Sequence, residues 1–376
     1  MIKMKLLTAL IGSFLFISSQ AQEYYLLVGT YDSPKSEGIY VYKFNSNDGS
    51  VAAVSHVKTS NPSFLAISPN EKYVYAVGER ADSLGKGGTV NSFSFDKKAG
   101  NLSFLSQQSS EGNNPCYVNV DKTGNWVIAG NYSSGNFSIL RSTNGKLNKA
   151  QQVIQHTGSG PDTARQKSPH VHGIFFNNDH SEIYVPDLGI DKVMTYRFDS
   201  KTGKATPSSF PSFNARPGGG PRHMAFHPNG KYFYLLEELS GQVDVLQKWT
   251  NGEIAATQST SALPLYYKGP AGSADIHVSA NGKYLYASNR GQANTIIVFS
   301  IDQSNGQITR IGDVPSGGER PRNFNFDPTG KFLLVGNQAS DQIAIFSIDQ
   351  ETGFLSDTGK RIDIGKPVCI KWISMN

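Results

Sequence analysis

Met224-Ala-Phe-His-Pro-Asn-Gly-Lys-Tyr-Phe-Tyr-Leu-Leu-Glu237 reads as a short apolar strand, a tight turn, and a second strand of alternating aromatic and apolar residues. Asn-Gly is a hairpin signal, because both residues accept positive φ. The same pattern returns along the chain. Phe64-Leu-Ala-Ile-Ser-Pro-Asn-Glu-Lys-Tyr73 and Tyr117-Val-Asn-Val-Asp-Lys-Thr-Gly-Asn-Trp126 are two copies. Ile174-Phe-Phe-Asn-Asn-Asp-His-Ser-Glu-Ile183, Ile276-His-Val-Ser-Ala-Asn-Gly-Lys-Tyr284 and Phe324-Asn-Phe-Asp-Pro-Thr-Gly-Lys-Phe332 bring the total to six. A polar Gly/Asn-rich turn and another alternating strand follow each copy. A period of roughly 50 residues with about four short strands per copy is a propeller blade.

A seventh copy is split between the chain ends. Tyr24-Tyr-Leu-Leu-Val-Gly-Thr30 and Gly38-Ile-Tyr-Val-Tyr-Lys-Phe44 supply middle strands but lack a first one. Pro367-Val-Cys-Ile-Lys-Trp-Ile373 has the pattern of that missing strand. The expectation is an all-β, seven-bladed β-propeller whose C-terminal strand completes the N-terminal blade. Closure of this kind removes open sheet edges.

Composition agrees. The chain has 376 residues, with 38 Gly, 11% aromatic and only 17% charged residues. That favours strands and tight turns over helical bundles. A hydrophobic content of 38% with a net charge of +5 excludes a disordered chain. Two cysteines exclude a disulfide scaffold. Cys116 and Cys369 fall on non-neighbouring blades, so two buried free thiols are expected.

Residues 1–21 read as a signal peptide. Lys3 and Lys5 form a basic start, Leu6 to Ile17 is an apolar run too short to span a bilayer, and Ser19-Gln20-Ala21 offers small residues for cleavage. Residues 22–376 are then one propeller domain, periplasmic or secreted, with no membrane span in the mature chain. Charge is too weak and scattered for a nucleic-acid partner. A monomer is expected.

In a blade the innermost strand lines the central channel. The Asn-Gly-Lys turns lie at one end of it. The start of the innermost strand and the turn between the second and third strands share the other end. At that mouth the sequence gathers His170, His172, Arg222, His223, Asp275, His277 and Arg322 from strand starts. Asp187, Glu237, Glu238, Arg290 and Gln338 come from turns. Charge so placed must be solvated or paired, and paired charges could simply knit the blades together.

The G-P-R-H-x-A-F-H-P-N-G-K-Y stretch at 220–232, E-L-S at 238–240 and H-V-H-G at 170–173 resemble the bacterial propeller lactonase family. That family includes propeller-type 6-phosphogluconolactonases and carboxymuconate lactonising enzymes. S-N-R-G at 288–291 and P-D-L-G at 186–189 fit as well. The resemblance implies a catalytic set of His172, Arg222, Glu238 and Arg290. His170, Asp187, Glu237, Asp275, His277, Arg322 and Gln338 are expected to extend the pocket, with His277 and His223 weighted towards structural roles. The export signal departs from a cytosolic pentose-phosphate enzyme and bears on the phosphate more than on the lactone.

Lactone hydrolysis needs a base for water, a positive group for the oxyanion and a proton for the leaving alkoxide. Glu238 or His172 suits the base, and His172 the proton return. Arg222 and Arg290 suit the oxyanion or an anionic substituent. No cofactor or metal is expected. His170 and His172 stand two apart on a strand without a compact third ligand, although scattered Asn and Asp leave calcium open. The partner is a small-molecule lactone. Two other readings stay open: a lactonising isomerase of a dicarboxylate, and a non-enzymatic propeller that binds a ligand or protein at its mouth.

Export is checked by N-terminal mass spectrometry of the native protein. The expected start is Gln22 or a near neighbour, and Met1-containing protein in the cytosol would refute it.

Overall fold

The computed structural model describes residues 22–375. The expected leader lies outside the described residues. Within them the chain forms seven four-stranded antiparallel sheets, the blades of a propeller. In six blades the four strands follow in sequence order from the axis outwards. The remaining sheet runs Pro367–Ser374, Glu23–Thr30, Gly38–Asn45, Ser50–Lys58. The C-terminal strand is its innermost member, with Tyr24 opposite Ser374 and Gly29 opposite Cys369. The split copy in the sequence is thus one blade built from both chain ends.

The hairpins take the shape their turns demand. Gly230 sits at φ 71°, which only glycine adopts without strain, and its N–H donates to the His227 carbonyl at 2.9 Å. Where the turn begins with Asp121 instead, that carboxylate accepts the backbone N–H of Asn125 and Trp126 at 3.0 and 2.9 Å. The alternating tyrosines have a second task. Tyr234 donates its hydroxyl to the Gly306 carbonyl of the next blade at 3.0 Å, and Tyr286 does the same to Gly353 at 2.8 Å. A large apolar ring therefore fills the space between blades while its polar tip is satisfied.

The core consists of apolar side chains sandwiched between successive blades, among them Leu65, Val74, Tyr75, Ile128 and Phe137. Cys116 and Cys369 are buried and unpaired, on inner strands two blades apart. No helix among the described residues is long and apolar enough to cross a membrane.

Deletion of residues 367–376 removes the inner strand of a blade, including buried Val368, Ile370 and Ile373. Each is worth about 1.5–3 kcal/mol of burial, and the Glu23–Thr30 strand becomes an open edge. Aggregated protein is expected by size exclusion. A monomeric truncation with an unchanged Tm would contradict the closure.

Candidate active site

Four inner strands begin with proline: Pro115–Val120, Pro221–Phe226, Pro321–Phe326 and Pro367–Ser374. In each the ladder register slips just after the proline. The residue that follows is a β-bulge, out of the ladder and free to be re-aimed. These residues are Cys116, Arg222, Arg322 and Val368, and they turn into the throat of the channel. Ser63 and His172, at the same level of two other blades, join them.

Above the throat the charges converge on one buried carboxylate. Glu238 follows the strand Tyr232–Glu237 and is fixed by its own N–H, 2.8 Å from the Gly220 carbonyl. Its Oε2 accepts from Arg222 Nε at 2.9 Å and pairs with Arg290 Nη2 at 2.9 Å. Its Oε1 accepts from Arg165 Nη2, also at 2.9 Å. His172 Nε2 lies 3.8 Å from Oε2. Arg222 is 1% exposed, and its Nη1 also donates to the Ala274 carbonyl. Arg290 is held by Nε donation to the Gly272 carbonyl at 3.0 Å.

Burial alone would raise the Glu238 carboxyl, but Arg290 and Arg222 overcome it and hold it well below the usual range. Burial and the Arg222 charge push His172 well below its ordinary value, so it is neutral at pH 7. Arg222 is lowered to about 10 by burial and by Arg290, and stays cationic.

The mouth opens as a cleft of about 370 Å³. Its polar lining is Arg165, Arg290, Arg320, Arg322, Gln338 and Glu238. Four guanidiniums thus face one carboxylate. Arg322 lies 5.3 Å over the Tyr31 ring. Neither its guanidinium nor that of Arg320 makes a hydrogen bond or ion pair among the described residues. Tyr31 in turn donates to Glu79 at 2.8 Å.

The expected residues divide into groups. His172, Arg222, Glu238 and Arg290 meet within one cluster on three consecutive blades, and Arg322 and Gln338 line the cleft beside it. His170 stacks on Tyr132 at 4.4 Å, and its Nδ1 lies 2.9 Å from the Tyr132 carbonyl. Asp275 and His277 lie deeper, bonded to each other at 3.1 Å. Asp187 and Glu237 were expected in the pocket, but their carboxylates are buried in the wall. Asp187 accepts the His170 N–H at 2.7 Å and pairs with His156 Nδ1 at 2.7 Å. Glu237 accepts the Arg216 N–H at 3.3 Å and the Ser240 hydroxyl. Burial and neighbouring Asp244 raise its carboxyl to about 7.

Arg165 escaped the sequence reading. It lies in the connection across residues 156–174, outside the repeat. That connection is far longer than those between the other blades, and unusual length is the signal that could have marked it. Gln166 beside it is fully buried, donating to the Leu188 carbonyl at 2.8 Å and to Asp191 at 2.6 Å. The loop is therefore fixed. Among the described residues no three His, Cys, Asp or Glu side chains gather as a metal-binding set.

Seven four-stranded blades around a cationic cleft define the class as a seven-bladed β-propeller. Comparison with known proteins narrows it. The family model of the seven-bladed β-propeller lactonases matches residues 25–372, and the chain belongs to that family. It is 37% identical to a 6-phosphogluconolactonase of Bacillus subtilis, over 92% of this chain and 97% of that protein. It is 38% identical to a 6-phosphogluconolactonase of Formosa agariphila, over 88% and 94%. The solved periplasmic gluconolactonase of Pseudomonas aeruginosa superposes with a TM-score of 0.89 at 34% identity, covering 94% of this chain and all of that one.

Glu238→Gln leaves three guanidiniums without their buried counter-charge. A loss of about 3–5 kcal/mol at pH 7 is expected in chemical denaturation. The Glu238 carboxyl is depressed in the folded state, so its contribution is full above the unfolded value near 4.3 and disappears as pH falls through the lower folded value. The gap between wild type and variant should therefore close only in strong acid. A gap that is absent at pH 7 would contradict this reading.

Proposed function

We propose that the mouth hydrolyses a sugar lactone of the 6-phosphogluconolactone or gluconolactone type to the open aldonic acid. The observation that carries this reading is the cleft itself. Arg222 and Arg290 are locked on Glu238, while the guanidiniums of Arg320 and Arg322 make no hydrogen bond or ion pair among the described residues. The first pair suits a carbonyl oxygen that becomes an oxyanion. The second suits an anionic substituent or the nascent carboxylate. The family relatives named for these lactones support the same substrate class.

Glu238 serves as counter-ion rather than base. A carboxylate that accepts from three guanidiniums has little basicity left. It holds the arginines together and charged where bulk water would let them spread. Acid–base work then falls to a neutral histidine of the throat. The expected leader places this activity in the periplasm or outside the cell, where an unphosphorylated sugar lactone is the readier substrate. A carboxymuconate lactonising reaction would use the same arginines on two carboxylates.

A panel of δ-gluconolactone, 6-phosphogluconolactone and a carboxymuconate, followed by pH-stat and absorbance, decides among these. Arg222→Lys is expected to lower kcat/KM about 100-fold on the lactone, because an ammonium cannot replace the two-pronged donor. Arg322→Ala should raise KM more for the phosphorylated lactone than for the neutral one. Because burial and Arg222 depress both throat histidines, His172 and His223, the acidic limb of kcat should lie below the ordinary histidine value near 6.5. Chelator is expected to leave the rate unchanged. A folded Arg222→Ala protein with full activity would move the chemistry away from this mouth.

A further inference from the structure

The lactonase reading needs a group that takes a proton from water, and two neutral histidines face the throat. One ring nitrogen of His172 contacts the Cys116 thiol, and the other faces the Glu238 carboxylate beyond hydrogen-bond distance. Nδ1 lies 3.7 Å from the Cys116 sulfur, and Nε2 lies 3.8 Å from Glu238. His223 is arranged differently. Its Nδ1 lies 2.7 Å from Asp275 Oδ1, and the side chain is 5% exposed. Asp275 is itself fixed, because its Oδ2 accepts from Asn323 and from His277 Nε2, the latter at 3.1 Å. A carboxylate on Nδ1 places the proton there and leaves a lone pair on Nε2. No protein group among the described residues hydrogen-bonds that Nε2.

His223 and Arg222 are neighbours on one strand, and in a regular ladder they would face opposite ways. The bulge between Pro221 and His223 removes that alternation. Both side chains therefore reach the same small cavity beneath the cleft, with Ser63, Cys116, His172, Arg322 and Asn323 as its other polar lining. The cavity leaves about 10 Å³ of free space, room for one water molecule. Arg322 lines both this cavity and the cleft above it, so its side chain is common to the two spaces.

We propose that His223, held by Asp275, is the general base of the hydrolysis, and that the cavity beneath the cleft is the berth of the attacking water. The lactone enters from the cleft, and water meets it from the channel side. The water gives a proton to His223 Nε2 as its oxygen bonds to the lactone carbonyl carbon. The carbonyl electron pair moves to the oxygen, which Arg222 and Arg290 stabilise. Collapse of that oxyanion breaks the bond to the ring oxygen, and the proton on His223 passes to the departing alkoxide. The hydroxy acid leaves as its carboxylate with release of one proton.

The groups facing His223 are Asp275, Arg222, His172 and, through Asp275, His277; Tyr117, Phe64 and Phe175 pack around the ring. Burial and Arg222 outweigh Asp275 and lower the imidazole to about 4, so it rests unprotonated at neutral pH. An oxyanion forming against Arg222 cancels part of that charge. The imidazole thus gains basicity at the moment the water gives up its proton.

The test uses the full chain and whichever lactone the wild type turns over. His223→Phe keeps an aromatic ring and removes the base. Its kcat should fall about 100-fold or more, while the calorimetric Kd for the aldonate product changes less than threefold. After subtraction of the uncatalysed reaction, kcat of the variant should rise with hydroxide between pH 7 and 9, where wild type is flat. Cys116→Met fills the cavity and should give the same loss of kcat with product binding intact, which serves if His223→Phe does not fold. A folded His223→Phe or Cys116→Met protein within threefold of wild-type kcat overturns the inference. So does an equal loss of product affinity. A wild type inert towards every lactone overturns the function reading and this inference with it, whereas an active wild type beside an active variant overturns this inference alone.

Discussion

Everything in this molecule depends on the pairing of Pro367–Ser374 with Glu23–Thr30. Seven wedge-shaped sheets around an axis leave no free edge only when the last meets the first. A strand from one chain end, inserted as the innermost member beside strands from the other, makes the join part of a blade rather than a seam between blades. The throat is defined by those inner strands. The geometry of a site some 150 residues earlier in the chain is thus set by the C-terminal strand, which contributes Val368 to the same throat as Arg222 and His172.

The second constraint is electrostatic. A propeller axis is narrow, and charge placed there is largely out of water. Arg222 at 1% exposure would be untenable alone. Glu238 answers it, and Arg165 and Arg290 complete the Glu238 hydrogen bonds from neighbouring blades and from the long 156–174 connection. Deeper in the channel Asp275 does the same for His223, His277 and Asn323. The two buried carboxylates carry opposite duties. One holds cations in place, and the other holds an imidazole in a fixed tautomer.

The blades were legible in the sequence because each is a local object. Strand, turn and alternation fall within some fifty consecutive residues, and the split seventh copy announced the closure. The mouth was legible as a place, since strand starts and outer turns must share one end. Which side chains face the opening was not. Glu237 and Glu238 are neighbours, yet one is buried against Ser240 and Arg216 while the other binds three arginines. Residue type and turn position cannot separate them. Asp187 is another such case, because its carboxylate ties down the strand that carries His170. His223 was weighted towards a structural role, and the bulge that brings it beside Arg222 leaves no periodic trace. Arg165 lay outside every repeat, so periodicity had nothing to say about it.

The bulge after proline has one more consequence. A ladder residue of an innermost strand is tied to a cross-strand partner on the next strand outwards, and exchanging it disturbs that pair. Cys116, Arg222, Arg322 and Val368 stand outside that bookkeeping. The proline before each has no N–H to offer, so the strand begins there whatever follows. Substitution at these four positions is judged by the throat alone and not by the sheet. The ring thus carries a set of addresses around its axis where a side chain can be exchanged without breaking a strand pair, and a new specificity tried there has only the packing and ion pairs of the throat to satisfy.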